Sequence, residues 1–212
     1  MIKNKHLIIF DFDGVLADSF DTFYLLIKAG MRQVGLSFRP DQYRDLFVGN
    51  VHQGFKDFIN NKKKYLAFSE FRKTNYDKYY YAKNSQVKLF LGTSKFLKKI
   101  GKNYTLTIAS SGREDNIKNL LKESGVKDIF GLILADSNYS KDTMIREILH
   151  KFHAKPKETF MISDTIGDIK IAKKFGLKTI AITWGFHSPE LLRTTEPDYI
   201  IKNFKELQHL LK

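Results

Sequence analysis

Short apolar runs recur along this chain, each stopped by polar residues and separated from the next by a stretch with helical spacing. Leu7-Ile8-Ile9-Phe10 stands near the start, and after a long gap come 104–109, 132–135, 159–162 and 179–182. Runs of branched and aromatic residues this short predict buried strands. A further strand is expected at an edge over 199–201. Between these runs the spacing predicts helices over 96–100 (ending at Gly101), 114–124 (stopped by Gly125), 141–152 (capped by Ser140), 166–175 (stopped by Gly176) and 204–211. Strands alternating with helices at this rhythm predict an α/β fold, a doubly wound parallel sheet with helices on both faces.

The gap after the first strand is helical throughout. Phe23, Leu26, Ile27, Gly30 and Met31 fall on one face of a helix that Ser19 or Asp18 would cap and Gly35 would stop. Residues 41–47, 51–60 and 66–81 predict three more helices, with Tyr79-Tyr80-Tyr81 assigned to packing. No strand is expected before about residue 83. The stretch is too long for an ordinary crossover, so it reads as an inserted all-α cap over 16–85, leaving 1–15 and 86–212 as the α/β core. There are no internal repeats and no low-complexity segments.

Composition narrows the chemistry. The 212 residues include no cysteine, which excludes disulfides, thiolate nucleophiles and Cys-bound zinc and suits a reducing cytoplasm. No apolar run approaches the ~20 residues that cross a bilayer, and the run at the start ends after Phe10, too short for a signal peptide. The expectation is a soluble, cytoplasmic protein with no membrane partner. The formal net charge is +13, which raises the possibility of a nucleic-acid partner. Apart from Lys62-Lys63-Lys64, the basic residues come singly or in pairs among acids, the pattern of solvated faces. The reading therefore assigns no nucleic-acid partner and keeps a milder role, a positive field that draws anionic substrates to a crevice.

In open α/β sheets ligands sit beyond the carboxyl ends of the strands, where strand order reverses. A first strand whose neighbours come from both parts of the chain would lie there, and it ends in Asp11-Phe12-Asp13-Gly14. Acids at i and i+2 of an extended segment share a face, and two anions so close need a cation or a shared proton. The second strand ends at Ser110, followed by the N–H groups of Ser111 and Gly112, which suit phosphate oxygens. Lys141, the only lysine between Lys127 and Lys151, opens a helix after the third strand. The fourth strand ends in Asp164-Thr165-Ile166-Gly167-Asp168, with the two acids one helical turn apart. Taken singly, each has a plainer explanation: Asp and Gly as turn residues, Ser110 as a helix cap, Lys141 as a surface lysine, Asp164 as the N-cap of its helix. Asp11, Asp164 and Asp168, with the backbone near Asp13, make an all-oxygen set suited to Mg²⁺.

With these motifs in order, the sequence resembles the haloacid dehalogenase superfamily of phosphatases, in the branch with a helical cap inserted after the first strand. Among its members it is similar to phosphoglycolate-phosphatase-like and phosphosugar-mutase-like proteins. The resemblance is carried by DFDGVLADS, the Ser110 strand end, Lys141 and DTIGD, and covers nearly the whole chain. The stretch 180–186 and Pro197-Asp198-Tyr199-Ile200 also look like this branch. Ser163 precedes Asp164 where many relatives have Gly, and Asp142 follows Lys141 where many have Pro.

The resemblance implies a Mg²⁺-dependent phosphatase of small phosphorylated metabolites, phosphoglycolate-like or sugar phosphates, working through an aspartyl-phosphate. It implies Asp11 as nucleophile and Asp13 as general acid and then base. Ser110 and Lys141, with the Ser111 and Gly112 backbone, would hold the phosphoryl group. Asp11, Asp164, Asp168 and the Asp13 carbonyl would bind Mg²⁺. Members that cleave carbon–halogen bonds lack an acid at the position of Asp13. Arg32, Arg39, His52 and Lys56 are substrate-binding candidates by charge alone. Other readings stand beside it: a phosphosugar mutase, a basic nucleic-acid-directed phosphatase or binding protein, and a regulatory protein without turnover. Mutases of this branch tend to carry a His in the first cap helix, and Phe23 stands at the aligned position.

Overall fold

The computed structural model describes residues 6–82, 87–136 and 139–212. The chain divides into two compact units. One combines the residues up to Asp18 with Leu89–Lys212, and the other is Ser19–Lys88.

The first unit is built on six parallel strands. β1 is Leu7–Phe10, β4 Thr105–Ser110, β5 Phe130–Ala135, β6 Thr159–Ser163, β7 Lys178–Ile182 and β8 Tyr199–Ile201, arranged β5-β4-β1-β6-β7-β8. Order therefore reverses at β1, which lies between β4 and β6 with Phe10 level with Ile108 and Ile162. β2 (Ala17–Asp18) and β3 (Lys88–Leu89) pair separately as a two-stranded ribbon. The helices of this unit are α5 (Thr93–Ile100), α6 (Glu114–Glu123), α7 (Lys141–Lys151), α8 (Ile166–Lys174), α9 (Pro189–Arg193) and α10 (Phe204–Leu210).

Alternation along β1 decides what each face meets. Leu7 and Ile9 join Ala109 of β4 and Met161 of β6 in one core, covered by Met144, Ile145 and Ile148 of α7 and Ala172 of α8. Phe10 points the other way, its ring edge-on to Phe96 of α5 at 6.4 Å, and Phe96 in turn packs tilted against Phe204 of α10 at 5.3 Å. All four β1 residues are buried, and a fully buried Leu, Ile or Phe contributes roughly 1.5–3 kcal/mol. The next residue on the Leu7–Ile9 side is Asp11, so strand parity directs it toward the face that α7 and α8 cover.

The second unit is helical: α1 (Phe20–Gln33), α2 (Pro40–Asp45), α3 (Val51–Ile59) and α4 (Lys62–Tyr80). Leu26, Ile27, Gly30 and Met31 are the buried stripe of α1. Gly30 faces α4 so closely that a Cβ there would stand 3.0 Å from the Phe68 ring. Asn50 and Asn61 cap α3 and α4 by accepting from the Gln53 and Lys64 N–H groups at 3.0 Å. Arg72 lies over the buried Phe55 ring at 4.8 Å. Among the described residues, no helix is long and apolar enough to cross a membrane.

Several local expectations change. The helix expected over 41–47 ends at Asp45 and tightens into a 3₁₀ turn over Leu46–Val48. The helix expected from 66 begins at Lys62, because Asn61 caps a lysine-rich first turn that carries no apolar stripe. β2 and β3 were not expected, since a two-residue strand has no periodicity to detect. Ser19 occupies the N-cap position of α1 but its side chain makes no cap bond, and its hydroxyl is buried with no partner. The first compact unit runs to Asp18: Val15, Leu16 and Ala17 are fully buried and the Leu16 carbonyl accepts the Phe90 N–H at 3.0 Å. The expected return at 85–86 lies outside the described residues. Tyr80 is buried against Phe23 and Tyr76, whereas Tyr81 is half exposed, so packing accounts for only part of the tyrosine triplet.

Candidate active site

Asp11 follows β1 directly, held to the sheet by its N–H to the Ile162 carbonyl at 3.0 Å. Gly14 sits at φ 77°, a left-handed conformation that turns the chain away at once. The Asp11 Oδ1 atom accepts the Phe12 N–H at 2.8 Å and the Lys141 ammonium at 3.0 Å. Lys141 is the first residue of α7, whose start is capped by Ser140 accepting the Thr143 N–H. Its Nζ donates also to the Ala109 carbonyl at 2.7 Å and lies 3.0 Å from Asp168 Oδ2. One buried cation thus ties the end of β1, the end of β4 and the first turn of α8.

Burial opposes the charge on Lys141, but Asp11 and Asp168 outweigh it and hold the ammonium well above an ordinary lysine value. Burial pushes Asp11 well above the usual carboxylate range, and Asp168 and Asp164 add to that push. Lys141 works in the opposite direction. Asp164, with no exposure at all, is raised to about 7, mainly by burial, with the Phe186 N–H opposing and Asp168 reinforcing the rise. Three acids and one lysine leave the cluster short of positive charge.

The Asp164 carboxylate is boxed in. Its Oδ2 accepts the Phe186 N–H at 2.6 Å, while Oδ1 is buried with no partner. Gly14 and Gly185 form two walls, and a Cβ at either position would overlap the Asp164 carboxylate. Asp164 does not cap α8. Thr165 does, its Oγ1 accepting the Asp168 N–H at 3.4 Å, which corrects the plainer reading of Asp164.

Ser110 ends β4, fully buried, with its Oγ accepting the Gly112 N–H at 3.0 Å. A Cβ on Gly112 would stand 3.2 Å from Asp13 Oδ2 and 3.3 Å from Ser110 Oγ, so both oxygens face this glycine. Asp13 is partly exposed and Ser111 exposed. The structure thus links Asp11, Lys141 and Asp168 by direct contacts, and Asp164 to them electrostatically. It gathers Asp13 and Ser110 at Gly112, and Ser110 is one residue from the Ala109 carbonyl that Lys141 holds.

The donor set fits Mg²⁺. Among the described residues, no group of three or more His, Asp or Glu side chains is placed as a metal-holding cluster. Mg²⁺ does not need one, because it binds through one or two carboxylates and keeps waters. An orphaned buried carboxylate oxygen on Asp164, beside an Asp11 whose own charge is under-compensated, is what such an ion would satisfy.

The charge-based candidates in the helical unit fare differently. Arg39 is paired with Asp41 at 2.8 Å on an exposed turn, Lys56 lies over the Tyr65 ring, Arg32 is exposed and His52 partly buried. Sequence reasoning missed Ser163, whose hydroxyl donates to Asp168 Oδ2 at 3.1 Å, and His187, whose ring bonds the start of α8. Only the unusual Ser163 before the acid pair signalled the first, and a lone His beyond the last central strand gave no signal.

The family model described as haloacid dehalogenase-like hydrolase matches residues 8–182. Pyrophosphatase PpaX of Bacillus velezensis is 27% identical over 98% of this chain and 97% of its own. The phosphoglycolate phosphatase of Synechococcus elongatus is 25% identical over 94% of each. A haloacid dehalogenase-like family hydrolase of Streptococcus pneumoniae shares the fold, with a TM-score of 0.82 at 23% identity over the whole of both chains.

Proposed function

The chain belongs to the haloacid dehalogenase-like hydrolase family and is a phosphoric monoester hydrolase, and from that premise we propose that it dephosphorylates small phosphorylated metabolites in two steps through Asp11. The observation that carries this reading is the buried contact of Lys141 with both Asp11 and Asp168, beside an Asp164 oxygen with no partner.

In the first step an Asp11 carboxylate oxygen attacks phosphorus and the bond to the leaving oxygen breaks, with Asp13 delivering the proton that oxygen needs. In the second, water attacks the phosphorus of the aspartyl-phosphate. Asp13 takes the water's proton, and the Asp11 carboxylate is regenerated with release of inorganic phosphate. Dividing the hydrolysis in this way replaces one slow step by two easier ones. Lys141 offsets the phosphoryl charge as it now offsets that of Asp11. Ser110 Oγ accepts from Gly112, so its own hydrogen is available to a phosphoryl oxygen, as is the Ser111 N–H. Asp11, Asp164 and the Asp13 carbonyl, with Asp168 directly or through water, would hold Mg²⁺, which would supply the remaining positive charge that lets two anions meet.

The relatives' names point the substrate search to phosphoglycolate and pyrophosphate, and sugar phosphates belong in the same panel. Such charged metabolites are retained inside cells, so the proposal places the enzyme in the cytoplasm. A mutase reading is not favoured, because the Phe23 ring packs on Tyr76 and Tyr80 at 5.6 and 6.3 Å and offers no proton-transfer group. The test is release of phosphate from an aryl phosphate and from that panel with Mg²⁺. Turnover is expected in the wild type and absent in Asp11→Asn. An Asp11→Asn enzyme that keeps its rate would remove Asp11 as nucleophile.

A further inference from the structure

The loop after β7 grips the turn that carries Asp164 and Asp168. The Phe186 N–H donates to Asp164 Oδ2 at 2.6 Å, and the His187 N–H donates to the Asp164 carbonyl at 3.3 Å. The Ile166 N–H donates to His187 Nδ1 at 3.0 Å. His187 is 2% exposed, and a ring nitrogen that accepts a backbone N–H carries no proton, so the neutral ring holds its proton on Nε2.

Ile166 is the first residue of α8, and the first N–H groups of a helix have no partner within it. Here three of the N–H groups at the start of α8 are met by side chains. Thr165 Oγ1 takes the Asp168 N–H, Ser163 Oγ takes the Thr165 N–H at 3.2 Å, and His187 takes that of Ile166. Two of these acceptors are local. His187 alone comes from another strand's loop, so it ties the start of α8 to the segment that boxes Asp164. Asp168 projects from this same first turn, with its Oδ2 between Lys141 and Ser163.

We propose that His187 is a positioning residue for the Asp164–Asp168 pair: through Nδ1 it fixes the start of α8, so that the two carboxylates keep the separation at which Mg²⁺ binds. This rests on the reading of Asp164 as a metal ligand. A His187 that merely fills space could be replaced by any side chain of similar bulk. One that acts as an acceptor is replaced by Asn, whose Oδ1 falls near the place of Nδ1, and not by Leu. Outer partners that orient ligands typically contribute about 10–100-fold in metal affinity.

The experiment is calorimetric titration of the substrate-free full chain with Mg²⁺, for the wild type, His187→Asn, His187→Leu and Asp164→Asn, with a melting temperature for each. His187→Leu is expected to bind at least about tenfold more weakly, His187→Asn within about threefold of wild type, and Asp164→Asn not measurably. Should His187→Leu fail to fold, His187→Gln takes its place with the same expectation, because its amide reaches toward the Nε2 position. Equal Mg²⁺ affinity in the Asn and Leu (or Gln) variants overturns the positioning role. Binding that survives Asp164→Asn overturns the metal reading instead.

Discussion

At the scale of single residues, the site is a problem of charge compensation, and Lys141 is its centre. The ammonium touches Asp11, Asp168 and the Ala109 carbonyl, with all three contacts at or under 3.0 Å. Removing one partner of a buried ion pair leaves the other charges uncompensated, typically at about 3–5 kcal/mol. Lys141→Met is therefore expected to lower unfolding stability by roughly that amount, read from urea midpoints at neutral pH. It should also lower turnover at least about a hundredfold, because a positioned donor to a transferring group is worth about that much. Unchanged turnover in a folded Lys141→Met protein would separate the lysine from the chemistry. Asp11, Asp13, Ser110, Lys141, Asp164 and Asp168 stood out in the sequence as a set, because each alone has a plainer explanation but together they fall at strand ends and in the first turns of the helices that follow. Ser163 stood out only as a departure from its relatives, without a role, and Thr165 and His187 not at all, because a hydroxyl or imidazole acting on backbone or on another side chain leaves no pattern in one dimension.

At the scale of elements, what could be read followed the strength of the periodicity. The six strands of the large sheet and α5, α6, α7, α8 and α10 fall within a few residues of the expected positions, since each carries an apolar run or a clear cap and stop. β2, β3 and α9 are too short to have a period. The start of α4 was hidden for a different reason: Lys62-Lys63-Lys64 places three cations in the first turn, where the helix dipole is positive. The Asn61 side chain, accepting the Lys64 N–H, offsets this locally. Asn61→Ala is expected to cost about 1 kcal/mol. Lys63→Glu, which reverses the unfavourable sign, is expected to add about 0.3–1 kcal/mol. Denaturant midpoints of the two variants test both signs, and amide exchange over 62–66 shows whether the effect is confined to that end. A Lys63→Glu protein less stable than wild type would mean that the lysine turn is held by something other than helix electrostatics.

At the scale of the whole molecule, the buried acids couple the site to folding. Asp164 titrates near 4 in an unfolded chain and at about 7 when folded, and Asp11 is raised in the same direction. An acid whose folded value is raised binds its proton more tightly in the native state, so its stabilising contribution is complete below pH ~4 and is lost as pH climbs through ~7. Lys141, raised rather than lowered, changes nothing in that window. The metal-free protein is thus expected to lose melting temperature between pH 5 and 7.5, by several degrees for a chain of this size. The informative quantity is the difference from Asp164→Asn, whose amide keeps the shape and cannot ionise. That variant should lose less over the same range. Millimolar Mg²⁺ should restore the wild type at pH 7.5 and leave Asp164→Asn unmoved, because a cation favours the ionised acids that burial disfavours. On the proposed mechanism, burial raises Asp11 and positive charge beyond Lys141 would favour its ionised form, so metal binding would also ready it for chemistry. If the wild type and Asp164→Asn show parallel pH dependence with and without Mg²⁺, the acids are not linked to folding in this way, and the electrostatic account of the site fails with them.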